Sequence, residues 1–147
     1  LSSYADIYNY ALLDGRRITP TDRSRRNTAG SSIIQAWFNN EACGGEVVAI
    51  LCHRQPGIPS SENTLLLMVM WMKESDFTPL DGNDEGFIWN TFPELGINTW
   101  QYNIYEDPRE AGSRPVILPL NEVHCQISRG TLEHTDPKMW ITNTMDR

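Results

Sequence analysis

The stretch from Gly45 to Met72 constrains the fold of this chain most strongly. It reads GEVVAILCHRQPGIPSSENTLLLMVMWM, two apolar runs joined by a polar loop that contains proline and glycine. In the second run, Leu65–Met72, alternate side chains of a strand would point to opposite faces, and both sets are apolar. This predicts a strand near the middle of a sheet. A buried helix is the alternative because leucine and methionine favour helices, but so short a run has the length of a strand.

Three further segments carry strand patterns. Glu46–Cys52 is apolar on both sides, and the prolines of the loop over residues 53–63 cannot continue a ladder, so we expect an antiparallel pair with an exposed connection. Ser31–Phe38 alternates, and Asn39-Asn40 and Gly44-Gly45 bracket a tight reversal into the next strand. These runs predict a three-stranded antiparallel meander.

A fourth strand is predicted at Val123–Ser128, where apolar and polar residues alternate. The segments between the predicted strands are long, irregular and rich in turn residues, and helix signals are few. The fold class that follows is mostly β: a small antiparallel barrel-like domain with long irregular loops and little helix.

The length of 147 residues suits one domain. Residues 1–30 are predicted to form an N-terminal extension, in which residues 1–13 fit a helix or a strand equally well and Arg16–Gly30 is a polar surface excursion. Residues 31–129 form the β domain. Residues 130–147 form a C-terminal tail packed on it, with Trp140 and Ile141 as anchors.

The charge distribution bears on nucleic-acid binding. The net charge is −7, which disfavours a protein that wraps duplex DNA by neutralising phosphates. Residues 1–30 nevertheless carry a local charge of +2. Their arginines are candidates for a weak nucleic-acid contact from a mobile segment, or they simply solvate a loop: Arg16, Arg17, Arg23, Arg25 and Arg26.

Metal, disulfide and membrane signals are weak. The acidic loop over residues 74–86 breaks the register of a calcium-binding EF-hand, so no metal and no cofactor are expected. Cys43, Cys52 and Cys125 are odd in number and widely spaced, which fits buried thiols in a reducing compartment. No apolar run approaches membrane-spanning length, so we expect an intracellular protein without a membrane partner.

Catalytic signatures are also weak. Cys52-His53 and His124-Cys125 are adjacent in sequence, but neighbours on a strand point to opposite faces and cannot form a dyad by themselves. A cross-strand pair such as His53 with Cys125 stays geometrically open. The chain contains no nucleophile elbow, phosphate-binding loop or zinc-protease motif, so the sequence favours a protein that is not an enzyme.

The order of strands resembles that of a bromo-adjacent homology (BAH) domain, a β-rich chromatin module. The similarity covers about residues 31–129, and the matching segments are Gly45–Ile50, Met68–Met72 with Trp71, Phe92–Leu95, and Leu120–Ile127 with Cys125. The whole chain is also similar to segments of transposon-associated proteins of mushroom-forming fungi. Both resemblances imply a chromatin or DNA-associated setting.

The BAH resemblance implies a ligand site as well. Members that read methyl-lysine hold the cation in an aromatic cage around the tryptophan of the second strand. The corresponding residue is Trp71, which Trp100, Tyr102 or Tyr105 would approach as further cage walls. Lys73 stands where such relatives often carry a second aromatic residue. The alternative is that Trp71 is a core residue.

The function that the sequence favours is a non-catalytic interaction module, a reader or scaffold that binds a protein partner or histone tail in the nucleus. Three alternatives stay open. One is a lectin-like carbohydrate-binding protein, since aromatic side chains stack on sugar rings. The others are a cytotoxic or defence protein of fungal origin and a thiol-dependent enzyme.

Overall fold

The computed structural model describes residues 4–21, 32–54, 65–75, 93–133 and 137–144. Ten strands account for most of these residues, and the helical elements that lie wholly among them are short 3-10 turns at Pro93–Leu95 and Leu120–Glu122. The strands are β1 (Tyr4–Tyr8), β2 (Ala11–Leu13), β3 (Arg16–Ile18), β4 (Ile33–Phe38), β5 (Glu41–Arg54), β6 (Leu65–Glu74), β7 (Ile97–Tyr105), β8 (Ile117–Pro119), β9 (Cys125–Leu132) and β10 (Met139–Thr144). The predicted mostly-β, antiparallel, barrel-like class is confirmed.

Eight strands form one antiparallel sheet in the order β1-β5-β4-β9-β10-β7-β6-β8. An additional pairing of β5 with β6 joins the sheet back on itself, so that β4, β5, β6, β7, β10 and β9 make a ring. The hairpin β2–β3 forms a separate two-stranded sheet. At the end of the ring where β1 and β8 lie, the local order is β1-β5-β6-β8.

The strand β5 makes this arrangement possible because its 14 residues reach three neighbours. Its first part pairs with β4, its later part pairs with β6, and its last residues pair with β1. The register with β6 shifts between Val47 and Ala49, which marks a bulge. Bulges bend and twist a strand, and this one allows β5 to turn from one part of the ring to the other.

The predicted meander is confirmed as β4, β5 and β6, but its first turn differs from the expectation. The reversal consists of Asn39 and Asn40, which both have positive φ, at 50° and 64°. Asparagine tolerates this conformation, which a two-residue hairpin turn requires. Gly44 and Gly45 lie inside β5 instead. Glycine is needed there because a Cβ at Gly44 would meet Met72 and Trp100, and one at Gly45 would meet Val69 and Trp71.

Two separate cores result from this topology. The outer core lies between the β2–β3 hairpin and the sheet, and its buried members include Ile18, Ile34, Val47, Ile50, Leu67, Val69 and Trp71. The ring core consists of Ile33, Met72, Trp100, Cys125, Ile127 and Trp140, with Tyr105 packed against it. Its members come from five of the ring strands, while β5 contributes the space left by Gly44.

The N-terminal segment is more ordered than the sequence predicts. Residues 4–8 and 11–13 are strands, which decides between the two open alternatives. The predicted excursion at Arg16–Gly30 is wrong at its start, since Arg16–Ile18 is a strand with a fully buried Ile18. Ile18 anchors the hairpin in the outer core, and the amide of Gln126 donates a hydrogen bond of 3.0 Å to the Arg17 carbonyl.

The C-terminal segment contributes β10, which pairs with β9 on one side and β7 on the other. Trp140 is therefore a member of the ring core. Three predicted features lie outside the described residues: the greater part of the acidic loop, most of the connection between β5 and β6, and Arg23, Arg25 and Arg26.

Candidate functional site

Two of the four predicted cage residues are buried in different cores. Trp71 is 3% exposed in the outer core, where its indole donates to the Pro115 carbonyl at 2.8 Å and its ring meets Phe38 edge-on. Trp100 is 2% exposed in the ring core, and its indole donates to the Thr142 hydroxyl at 2.9 Å. Both indole N–H groups thus have partners inside the protein.

The other two cage candidates meet around a tryptophan that the sequence had suggested only as an anchor. The rings of Tyr102 and Tyr105 lie edge-on to Trp140, with centroids 5.6 Å and 5.5 Å away. Asn103 has a φ of 57°, a conformation that interrupts the regular alternation of β7. No sequence pattern indicates this cluster, because it depends on the pairing of β10 with β7.

A cation already lies on the face of this aromatic cluster. The guanidinium of Arg129 is 4.1 Å from the centroid of the Trp140 ring, within cation–π distance. The same guanidinium is 3.4 Å from the Glu46 carboxylate, and both side chains are largely buried. The position that a methylammonium would take on Trp140 is therefore filled by a side chain of the protein itself.

Glu46 is the centre of this polar network. Its carboxylate accepts hydrogen bonds from the hydroxyls of Thr21, at 2.9 Å, and Tyr105. Burial alone would raise the pKa of Glu46, but these hydrogen bonds and the Arg129 charge outweigh it and hold the pKa below its ordinary value. Burial, together with the bond to Glu46, raises the pKa of Tyr105 to about 12.

Of the arginine candidates, Arg16 and Arg17 lie on β3. The Arg17 guanidinium is 4.3 Å from the centroid of the Tyr10 ring, so this side chain has a cation–π partner within the N-terminal segment. The structure therefore places these two arginines on an ordered hairpin. The other three candidates, Arg23, Arg25 and Arg26, lie outside the described residues, so the nucleic-acid contact stays a prediction.

Four exposed apolar side chains lie close together in sequence at the N-terminal end of the described chain. Ile7, Tyr8, Tyr10 and Leu12 are 68%, 36%, 46% and 59% exposed. Residues 7–12 and Leu65 line a groove of about 510 Å³. We call these four exposed side chains with Leu65 the Ile7 patch. The sequence signal for it was the alternation of Tyr8, Tyr10 and Leu12, which left helix and strand open.

A second groove lies near the start of β5 and is polar. Its volume is about 330 Å³, and it is lined by Glu41, Ala42, Glu74, Ser75, Asn98, Thr99 and Trp100. The exposed Trp37 is the cross-strand partner of Ala42, so both side chains lie on the same face of the β4–β5 hairpin. Arg114 pairs with both of its carboxylates, at 3.8 Å from Glu41 and 3.4 Å from Glu74.

The candidate thiol–imidazole pair is not brought together. His53 is exposed on β5, opposite Ala5 of β1, while Cys125 is buried in the ring core on β9, and β4 lies between these strands in the sheet. All three cysteines are buried and none forms a disulfide. Burial raises the pKa of the Cys43 thiol, which disfavours the reactive thiolate form.

Within the described ranges, no group of three or more histidine, cysteine, aspartate or glutamate side chains is placed to hold a metal ion. No helix in the same part of the chain is long and apolar enough to cross a membrane.

Comparison of the chain with models of known protein families, with curated protein sequences and with solved structures gave no match.

Proposed function

We propose that this protein is a non-catalytic interaction module that binds another protein through the Ile7 patch. The observation that carries the proposal is the exposure of Ile7, Tyr8, Tyr10 and Leu12 along one groove. Monomeric soluble proteins rarely expose large contiguous apolar patches, and where they do, the patch often marks a site of protein association. Tyrosine and leucine side chains of this kind supply contact area that a partner can cover.

The described thiols and imidazoles support a binding role over a thiol enzyme. A nucleophilic cysteine needs a lowered pKa and a base within hydrogen-bonding distance. Cys43 has a raised pKa, and Cys125 is buried away from His53.

For the partner, we propose a chromatin or other nuclear protein, with a histone tail as the first candidate. The resemblance of the sequence to BAH domains and to transposon-associated proteins motivates this setting, and the mostly-β antiparallel fold is of the class that the BAH resemblance implies. The net charge of −7 favours a basic protein partner over nucleic acid. Because Arg129 fills the face of Trp140, recognition does not depend on an aromatic cage at that ring.

The experiment is a binding titration of the full chain with unmodified histone-tail peptides and reconstituted nucleosomes. The double variant Ile7→Ser, Leu12→Ser removes two exposed side chains of the patch, and we expect it to weaken binding at least tenfold. The matched control is Ile104→Ser, which removes a 45% exposed isoleucine on β7 and should leave affinity unchanged. Equal binding by the double variant and the wild type would refute the proposal that the Ile7 patch binds the partner.

The polar groove favours a second candidate, a lectin-like protein. Carboxylate, hydroxyl and amide groups line it, and Trp37 presents a 53% exposed indole on the same face as Ala42. Such an aromatic ring can stack on a pyranose while the polar groups hold its hydroxyls. Retention on a glycan column that is lost in Trp37→Ala, together with no affinity for histone peptides or nucleosomes, would favour this reading over the first.

A further inference from the structure

The strand β1 is an edge of the eight-stranded sheet. Among the described strands it pairs with β5 alone, through five consecutive positions from Tyr4 opposite Arg54 to Tyr8 opposite Ile50. Antiparallel strands direct backbone N–H and C=O groups alternately to their two sides. The side of β1 away from β5 therefore presents backbone hydrogen-bonding groups to which no other described strand is paired.

Within the described ranges, this edge shows little of the usual protection against pairing. Natural edge strands are commonly guarded by several charges, a proline or a bulge. Of the described side chains of β1, one is charged, Asp6, and its register with β5 is continuous. Residues 5–8 are exposed at every position, so neither face of this part of the strand is covered by the described chain. The Ile7 patch continues the exposed surface beyond its end.

We infer that the outer edge of β1 accepts an extended basic segment of the partner protein as an additional β-strand, with apolar side chains of that segment packed on the Ile7 patch. The inference rests on the proposed function and gives its binding mode. In strand addition, main-chain hydrogen bonds supply affinity and pockets for alternate side chains supply specificity. The exposed edge supplies the main-chain hydrogen-bonding groups, and the groove of residues 7–12 with Leu65 supplies a pocket for side chains.

Charge complementarity argues for a basic segment and against a second copy of this chain. Residues 1–30 carry a local charge of +2, but the whole chain carries −7, so at long range two copies repel each other while a basic segment is attracted. If two β1 strands paired antiparallel about their centres, Asp6 would face Asp6, and like charges directly opposite each other destabilise a sheet. A lysine or arginine opposite Asp6 replaces this repulsion with attraction.

The test uses a capped nine-residue peptide of alternating valine and threonine with lysine at its fifth position, titrated into the full chain by fluorescence anisotropy. Two analogues carry N-methyl groups on either the odd or the even residues. Because only every second amide of an added strand bonds to the edge, one analogue should lose at least tenfold in affinity while the other stays within twofold. Equal loss or equal retention by both, or no saturable binding of the parent peptide, would overturn the inference.

A charge swap at β1 gives a second readout. The variant Asp6→Lys should reverse the preference of the edge, with the lysine peptide weakened about fivefold and a glutamate version strengthened by a similar factor. Glu133→Lys, an exposed position on the turn after β9, makes the same change in net charge and should not reverse the preference. Identical behaviour of the two variants would show that net charge acts without strand pairing at Asp6.

The outcome of the proposed function is separable from this one. Suppose that histone or nucleosome binding is lost in the double variant Ile7→Ser, Leu12→Ser, but that the two N-methyl analogues of the peptide bind equally well. The proposed interaction module would then stand, and strand addition would be refuted. Sedimentation that shows a dimer abolished by Ile7→Ser would replace the basic segment with a second copy and overturn the inference.

Discussion

Removing the Glu46 carboxylate should destabilise the protein because this group organises the polar network beside the ring core. It accepts from Thr21 and Tyr105 and pairs with Arg129 at 3.4 Å. Glu46→Ala leaves the Arg129 guanidinium without its carboxylate partner in a site where it is only 17% exposed. Loss of one partner of a buried ion pair costs about 3–5 kcal/mol, and the remaining contact with Trp140 places this variant near the lower end.

The conservative variant Glu46→Gln separates charge from hydrogen bonding. Glutamine keeps the volume and one acceptor oxygen, so we expect a loss of about 1–2 kcal/mol. Urea unfolding at neutral pH, followed by tryptophan fluorescence, measures both losses as shifts of the midpoint at constant slope. The control is Glu122→Ala, an exposed residue of a 3-10 turn, which should change stability by less than about 0.5 kcal/mol.

The pH dependence of stability gives an independent check on the same residue. Because the folded pKa of Glu46 lies below its ordinary value of 4.5, folding favours the ionised form. Its contribution is present above that ordinary value and is lost as the pH falls through the folded pKa. Glu46→Gln should lack this part of the acid-induced loss.

A double-mutant cycle tests whether the pair acts as a unit. With Arg129→Met as the second change, we expect a coupling of about 1–3 kcal/mol, since the two residues share one network. Additive effects, or a Glu46→Ala variant as stable as the wild type, would refute the assignment of Glu46 as the centre of the network.

Three further outcomes are expected. Gly45→Ala should lower the free energy of unfolding in urea by about 1–3 kcal/mol, because its Cβ would press on Val69 and Trp71. Gly130→Ala should be nearly neutral, because its Cβ would meet its nearest neighbour at 3.5 Å. Equal effects of the two substitutions would contradict the close approach at Gly45. In a spectrophotometric titration at 295 nm, Tyr105 should ionise near pH 12. The stability gained from its raised pKa should be present below pH 10 and be lost between about pH 10 and pH 12. A titration curve that is unchanged in Tyr105→Phe would refute this assignment. Asn40→Val should cost about 1–3 kcal/mol, because a β-branched residue is strained at its φ of 64°, and Asn40→Gly should not; chemical unfolding decides between them.

Sequence alone was sufficient where a local pattern matched the period of a strand. Leu65–Met72, apolar on both faces, predicted an interior strand, and β6 pairs with β5, β7 and β8. The alternation in Ser31–Phe38 predicted β4 in the same way. These assignments succeed because the burial of successive side chains in a strand is written directly in the order of residues.

The first turn of the meander shows where local signals compete. Asn39-Asn40 and Gly44-Gly45 both resemble turn sequences, and only the first forms the turn. The space that Gly44 and Gly45 leave is occupied by Trp71 and Trp100 from later strands. No local pattern can distinguish a glycine that turns the chain from one that admits a distant ring.

The candidate site depended almost entirely on tertiary structure. The sequence suggests that Trp71, Trp100, Tyr102 and Tyr105 form one cage, whereas the sheet places Trp71 in the outer core and Trp100 in the ring core and brings the two tyrosines to Trp140. Arg129 reaches that ring because β10 lies between β7 and β9. These contacts join residues far apart in the chain, and strand order decides them through long-range pairing that residue periodicity does not encode. The exposure of β1 follows from the same cause, since a strand becomes an edge only when the order of the whole sheet is set.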